Sequence, residues 1–206
     1  MHSRVERLRR LTSWLVAVML LLVILLSNAL SRQGLFYEVC EILGYGLIVL
    51  AVLGRIWCSA YIGGRKDEEL CNEGPYSMCR NPLYLFSFLG TIGIVLAAQS
   101  ILLVLIVVPI YWGYYYFVIR SEERRLLQMF GSRFTAYCSK VNRLVPSFKN
   151  YRTRNSVLVN TNVLFRSIMD ASVFMWVIIL LEIMEDLKIA DINGNAALPI
   201  LWHLPF

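Results

Sequence analysis

The chain has 206 residues, 58% of them hydrophobic, with 20 Lys and Arg against 14 Asp and Glu and a mean hydropathy of +0.60. Soluble domains are about 45–50% apolar, and the excess here lies in long blocks, which excludes an ordinary soluble domain. With histidine only at His2 and His203, a histidine-based metal centre or a Ser-His-Asp triad has almost no material.

Five blocks approach the roughly 20 apolar residues needed to cross a bilayer as a helix: Leu11–Leu30, Ile42–Ile62, Leu83–Ala98, Ile101–Ile119 and Ile168–Met184. No alternating β-barrel pattern is present, so the expected fold is all-α, a multi-pass bundle of about five spans. The first block follows a basic start and ends near Ser27-Asn28-Ala29, but its apolar core exceeds that of a cleaved signal peptide. Basic residues fall on one side. Arg4, Arg7, Arg9 and Arg10 precede the first block; Arg65, Lys66 and Arg80 follow the second; ten more occur between Arg120 and Arg166. Only Arg32 and Lys188 face the other way, and Arg55 sits inside the second block. This asymmetry predicts a cytosolic N-terminus, cytosolic polar loops and an external C-terminus, in a prokaryotic cytoplasmic membrane. The net charge of +6 then belongs to loops facing anionic headgroups and gives no reason to expect nucleic acid. Cys40, Cys58, Cys71, Cys79 and Cys138 match no zinc or redox spacing, and no metal is expected.

Three segments follow: 1–62 with the first two spans, 63–148 as a core containing the hairpin 82–119, and 149–206 with a polar linker at 147–160, the fifth span and the tail. Gly74-Pro75 marks a turn. Asn81-Pro82 has the form of an N-cap followed by Pro at the first helical position. The third and fourth helices are joined by little more than Gln99-Ser100 and must form an antiparallel hairpin. Pro109 is expected to kink the fourth helix. The stretches Glu122–Phe130 and Phe134–Val141 are amphipathic and expected to lie along the membrane surface. The run Tyr111-Trp112-Gly113-Tyr114-Tyr115-Tyr116 suits an interfacial belt or the wall of a ligand pocket.

Hairpin geometry brings the start of the third helix beside the end of the fourth, so Arg80, Tyr84, Glu122 and Glu123 can share one site. The helix start at Asn81 offers free N–H groups to a carboxylate, Arg80 adds a planar fork, and either glutamate can take an ammonium or ribose hydroxyls. A structural role stays open, with Arg80 as a positive-inside anchor and the glutamates paired to Arg120 or Arg125 along the helix.

The pattern Gly74-Pro75-Tyr76-x-x-x-Arg80-Asn81-Pro82-x-Tyr84, a hairpin, Glu122-Glu123-x-x-Leu126, then Phe130-Gly131, Tyr137, Val141 and Pro146 resembles the isoprenylcysteine carboxyl methyltransferases and their phospholipid methyltransferase relatives, over roughly residues 60–148. The resemblance implies an S-adenosylmethionine-dependent membrane enzyme with a lipid-like or prenylated acceptor entering from the bilayer. It implies a cofactor site formed by Pro75, Tyr76, Asn81, Pro82, Tyr84, Glu122 and Glu123, with Arg80, Glu122 and Glu123 at the chemistry. The family usually has His where this chain has Asn81, which cannot act as a base near neutral pH. Methylation of a carboxylate needs no base, so the change leans toward an ionised acceptor. The alternatives are a phospholipid N-methyltransferase, an isoprenoid or sterol reductase on a related hairpin, and a non-catalytic scaffold.

Overall fold

A computed structural model describes residues 34–63, 68–99, 101–149 and 151–192; the expected first span and the C-terminal tail lie outside them. The described residues are all-helical: α1 (Leu35–Ile62), α2 (Pro75–Met78), α3 (Pro82–Ala97), α4 (Ile101–Phe130), α5 (Ser132–Cys138) and α6 (Thr161–Ile192). Three of them, α1, α4 and α6, contain stretches long and apolar enough to cross a membrane, and α3 is a shorter apolar helix.

α1 begins seven residues before the expected Ile42. Leu35–Glu41 contain no helix breaker, so the helix extends back to Gly34, whose φ of 138° belongs to glycine. At its other end Gly63 leaves helical space while its N–H still donates to the Ser59 carbonyl at 2.8 Å. α6 also begins earlier than Ile168. The Asn160 side chain accepts from the N–H groups of Asn162 and Val163 and starts the helix one residue later, the N-cap arrangement that satisfies otherwise orphaned donors.

Small residues set the closest contact, between α1 and α3. A Cβ on Gly44 would lie 2.6 Å from the Ala97 nitrogen, and one on Gly93 would lie 2.6 Å from the Gly44 carbonyl oxygen, so the two backbones touch. This is the close approach expected where lipid leaves no hydrophobic drive between helices and packing must hold them. Phe174 of α6 lies against Gly90 of α3, and Ala171 and Leu181 of α6 are fully buried. Outward-facing Leu53, Leu105, Phe117, Phe165 and Trp176 are largely exposed, the apolar exterior of a bundle whose solvent is hydrocarbon.

The α3–α4 link is the expected tight one. Gln99 takes a positive φ of 55°, unusual for a residue with a side chain, and its amide donates to Glu41 of α1 at 3.0 Å, tying the hairpin tip to its neighbour. At the other end α4 departs from expectation. Glu122–Phe130 is not a separate surface helix but the uninterrupted continuation of α4, which runs through Pro109 to Phe130 over 30 residues. Nothing between Ile119 and Phe130 breaks a helix; Gly131, at φ +51°, does.

Residues 142–154 are also more than a linker. They lie along the loop before α3: Arg80 and Asn81 N–H donate to the carbonyls of Asn142 and Arg143, Ser147 N–H to Met78, and Gly74 N–H to Arg152. Arg152 N–H donates to the Ser77 hydroxyl, and Arg154 pairs with Glu73. This strap satisfies backbone groups that burial would otherwise orphan.

Candidate functional site

The expected convergence of α3 start and α4 end is present. Arg80 Nε donates to Glu123 Oε1 at 3.0 Å, and its Nη1 donates to the Cys138 carbonyl at 3.0 Å. Both side chains of the Arg80–Glu123 pair are only 12% exposed. The second Glu123 oxygen accepts from Arg143, whose contact is 2.8 Å. Asn81 Nδ2 reaches both Glu123 Oε1, at 3.4 Å, and the Arg143 carbonyl, at 3.2 Å. One carboxylate thus gathers donors from the loop, the helix start and the strap, charge-assisted bonds stronger than neutral ones.

Two expectations need correction. Asn81 occupies the N-cap position, but its side chain makes no capping bond; it is turned toward Glu123 and the strap. Glu123 does not pair along its own helix, because Arg120 bonds the Tyr116 hydroxyl instead, while Arg80 and Arg143 are delivered across the mouth of the hairpin. Arg143 was not singled out from the sequence: it lies 20 residues beyond Glu123 in a loop, and only the strap's return path brings it back. The Glu123 bond raises the Arg143 pKa above its ordinary value.

The remaining candidates form the walls. Pro75 and Tyr76 begin the one-turn α2 and are buried, as is Pro82 at the first position of α3. The Tyr76 carbonyl accepts from the Tyr137 hydroxyl at 2.6 Å, while its own buried hydroxyl has no partner among the described residues. Burial holds that phenol well above its usual range. Glu123, not Glu122, is the acid that meets Arg80. Phe134, Tyr137 and Val141 close the cluster from below with Leu70, Leu126 and Phe130 packed against them. Burial pushes the Cys79 thiol up to about 11.

Tyr84 stands between this polar cluster and an aromatic recess. Its carbonyl accepts from the Tyr111 hydroxyl at 2.9 Å, and its ring lies 5.1 Å from that of Tyr115, which stacks on Tyr111 at 4.1 Å. Leu85, Phe88, Trp112, Ile119 and, from the strap, Leu144 complete the lining. The aromatic run divides by helix face: Tyr111 and Tyr115 turn inward to the recess, while Tyr116 and Phe117 face outward.

The chain is similar to known proteins. The phospholipid methyltransferase family matches over residues 39–133, from within α1 to the start of α5. The chain is 32% identical to the nickel-cobalt-cadmium resistance protein NccN of Alcaligenes xylosoxydans xylosoxydans, covering 85% of this chain and 83% of that protein. It is 31% identical to the cobalt-zinc-cadmium resistance protein CzcN of Cupriavidus metallidurans, covering 84% and 80%. No solved structure matches. With the family's matched region spanning the Arg80–Glu123 cluster and the hairpin that builds it, the chain belongs to the phospholipid methyltransferase family, the group that also takes in the isoprenylcysteine type.

Proposed function

We propose that this chain is an S-adenosylmethionine-dependent methyltransferase acting on a lipid-like acceptor at the basic, cytosolic end of the bundle. The observation that carries the reading is the buried carboxylate of Glu123, held by Arg80, Asn81 and Arg143 at the hairpin mouth near the aromatic side chains of Tyr84, Tyr111 and Tyr115. A scaffold has no use for such a cluster at one hairpin mouth.

The donor set fits the cofactor. The orphaned Tyr76 hydroxyl is a buried polar atom awaiting a partner. Arg80 uses Nε and Nη1 within the protein, and neither bond involves Nη2, which is left to meet a carboxylate. Glu122, the neighbour of Glu123 on α4, suits an ammonium or ribose hydroxyls. Pro75, Asn81, Pro82 and Tyr84 shape the walls. When bound, S-adenosylmethionine supplies an electrophilic methyl group. The protein's task is then alignment and exclusion of water: Glu123 fixes Arg80, the strap and α5 close the polar side, and Tyr84, Tyr111 and Tyr115 offer an aromatic wall to the acceptor. Asn81 cannot accept a proton, which favours an acceptor that arrives ionised. Burial of an acceptor chain contributes about 0.8 kcal/mol per CH₂, so most of the acceptor's affinity would come from its tail.

A role in metal resistance is a second reading, favoured by what the two relatives are called. It is compatible with the first if methylation of a membrane component changes how the cell envelope handles divalent cations.

Radiolabelled S-adenosylmethionine should bind the purified protein and pass its methyl group to a member of a panel of membrane lipids, prenylcysteines and small acids. Glu122→Gln should weaken cofactor binding by roughly 10- to 150-fold, the loss of one charge-assisted hydrogen bond. Absence of both binding and transfer in the wild type, in bilayers as well as in detergent, overturns the reading.

A further inference from the structure

The last acid of α4 is Glu123, and the next acid along the chain is Asp170 of α6; between them stand nine Lys and Arg and no Asp or Glu. That stretch includes the strap. Two backbone bonds pin the strap to the residues that lead into α3: Asn81 N–H donates to the Arg143 carbonyl at 3.2 Å, and Ser147 N–H donates to the Met78 carbonyl at 3.0 Å. Leu144, just past the first pin, lines the aromatic recess with Leu85, Phe88 and Ile119. Leu85 is three residues into the apolar helix α3, about 4.5 Å from its start at 1.5 Å per residue. The strap therefore runs at the level where the apolar part of the bundle begins.

The strap's exposed side chains match that level. Val145 is 71% exposed and Phe148 73%, as much as Phe117 on the exterior of α4 at 70%. Pro146 between them is exposed as well, and exposed Arg143 and Lys149 bracket the group. Bases flanking exposed apolar side chains at the end of a bundle suit a bilayer interface, where apolar groups reach the acyl boundary and cations meet headgroups. Nucleic acid or an acidic protein would take the cations and leave Val145 and Phe148 in water. An anionic phospholipid satisfies both.

We propose that residues 143–149 form a docking surface for anionic phospholipids of the adjoining leaflet, with Val145 and Phe148 entering the acyl boundary and Arg143 and Lys149 taking headgroup phosphates. The contact goes beyond methyl transfer, since it holds whatever the acceptor. It gives the strap a support besides its backbone bonds. Because Arg143 also donates to Glu123 at 3.0 Å, the lipid composition beside the strap then acts on a wall of the candidate site.

The test is photocrosslinking, which needs neither cofactor nor acceptor. The full chain carries benzoylphenylalanine in place of Phe148 or, separately, of Val145. It is placed in nanodiscs of phosphatidylcholine and phosphatidylglycerol, with each lipid radiolabelled in turn. Illumination should attach lipid at both positions, and phosphatidylglycerol adducts should exceed that lipid's share of the bilayer by about fivefold. Arg143→Gln combined with Lys149→Gln should bring those adducts down to the bilayer share without lowering the total. Lys149→Gln alone should give part of that loss, and it keeps the test readable if the double variant unfolds. Absence of lipid adducts overturns the surface, as do adducts confined to another part of the chain, which mark a face covered from within. A preference for phosphatidylglycerol that is missing from the wild type, or that survives in both variants, overturns it too. So does illumination in native membranes that attaches protein or nucleic acid in place of lipid.

Discussion

Arg80 and Arg55 are two half-buried arginines of one bundle in opposite electrostatic settings. Arg80, at the polar end, is locked by a carboxylate and a carbonyl, and the carboxylate is itself held by Arg143 and Asn81. Arg55, inside the span, has a hydroxyl, an aromatic face and an N–H with no partner among the described residues. The first setting is complete within the protein and serves as a fixed wall. The second has no acid among the described residues. Removing a member of the first network leaves a charge stranded, whereas removing the second charge strands nothing.

The largest expected effect follows from that difference. Glu123→Ala leaves Arg80 unpaired where it is mostly buried and should destabilise the protein by about 3 kcal/mol. Arg55→Gln, which loses a hydroxyl bond and a ring contact but breaks no ion pair among the described residues, should cost less. Thermal unfolding of both variants in the same detergent measures the contrast, and equal losses would erase it.

A pH effect of similar size sharpens the view of the polar end as a closed wall. The Cys79 thiol is raised from an ordinary 9.0 to about 11 by burial. A group with a raised native pKa favours the folded state below its unfolded pKa and loses that contribution as pH climbs to the native value. Stability should therefore be flat below pH 9 and fall by about 2–3 kcal/mol between pH 9 and 11, with buried Tyr76 acting in the same direction. Equilibrium unfolding across that range, repeated with Cys79→Ala, checks it; an equally steep fall in the variant would exonerate the thiol.

Arg143→Ala should cost least, about 0.5–1 kcal/mol, because its side chain is 45% exposed and its pair with Glu123 is screened by water. A loss as large as that of Glu123→Ala would mean that the strap, not Arg80, holds the carboxylate.

Much of this was legible before any coordinates. The hairpin, its two-residue link and the meeting of Arg80 with the Glu122-Glu123 pair follow from helix lengths and a short connection. The partners of those residues did not follow. Asn81 reads locally as a capping residue, and the local rule gives way because Glu123 and the Arg143 carbonyl offer its amide two acceptors across the hairpin. Glu122–Phe130 reads as a surface helix because its residues are amphipathic, yet amphipathicity says nothing about where a helix begins, and with no breaker before Gly131 the continuous helix prevails. Likewise residues 147–160 look like a linker by composition, because the backbone bonds that dock residues 147–152 leave no mark in side-chain type.

By itself, then, the sequence determined a helical membrane bundle, its glycine stops and the hairpin that gathers the polar motif, since periodicity, breakers and loop length act over a few residues. Only the tertiary structure decided that Glu123 rather than Glu122 takes Arg80, that Arg143 returns to share it, and that Arg55 turns inward beside Ser87 and Phe174. Those outcomes depend on how close α1 and α3 come at Gly44 and Gly93 and on the path of a strap dozens of residues away, and contacts across such distances along the chain are fixed by packing rather than by local pattern.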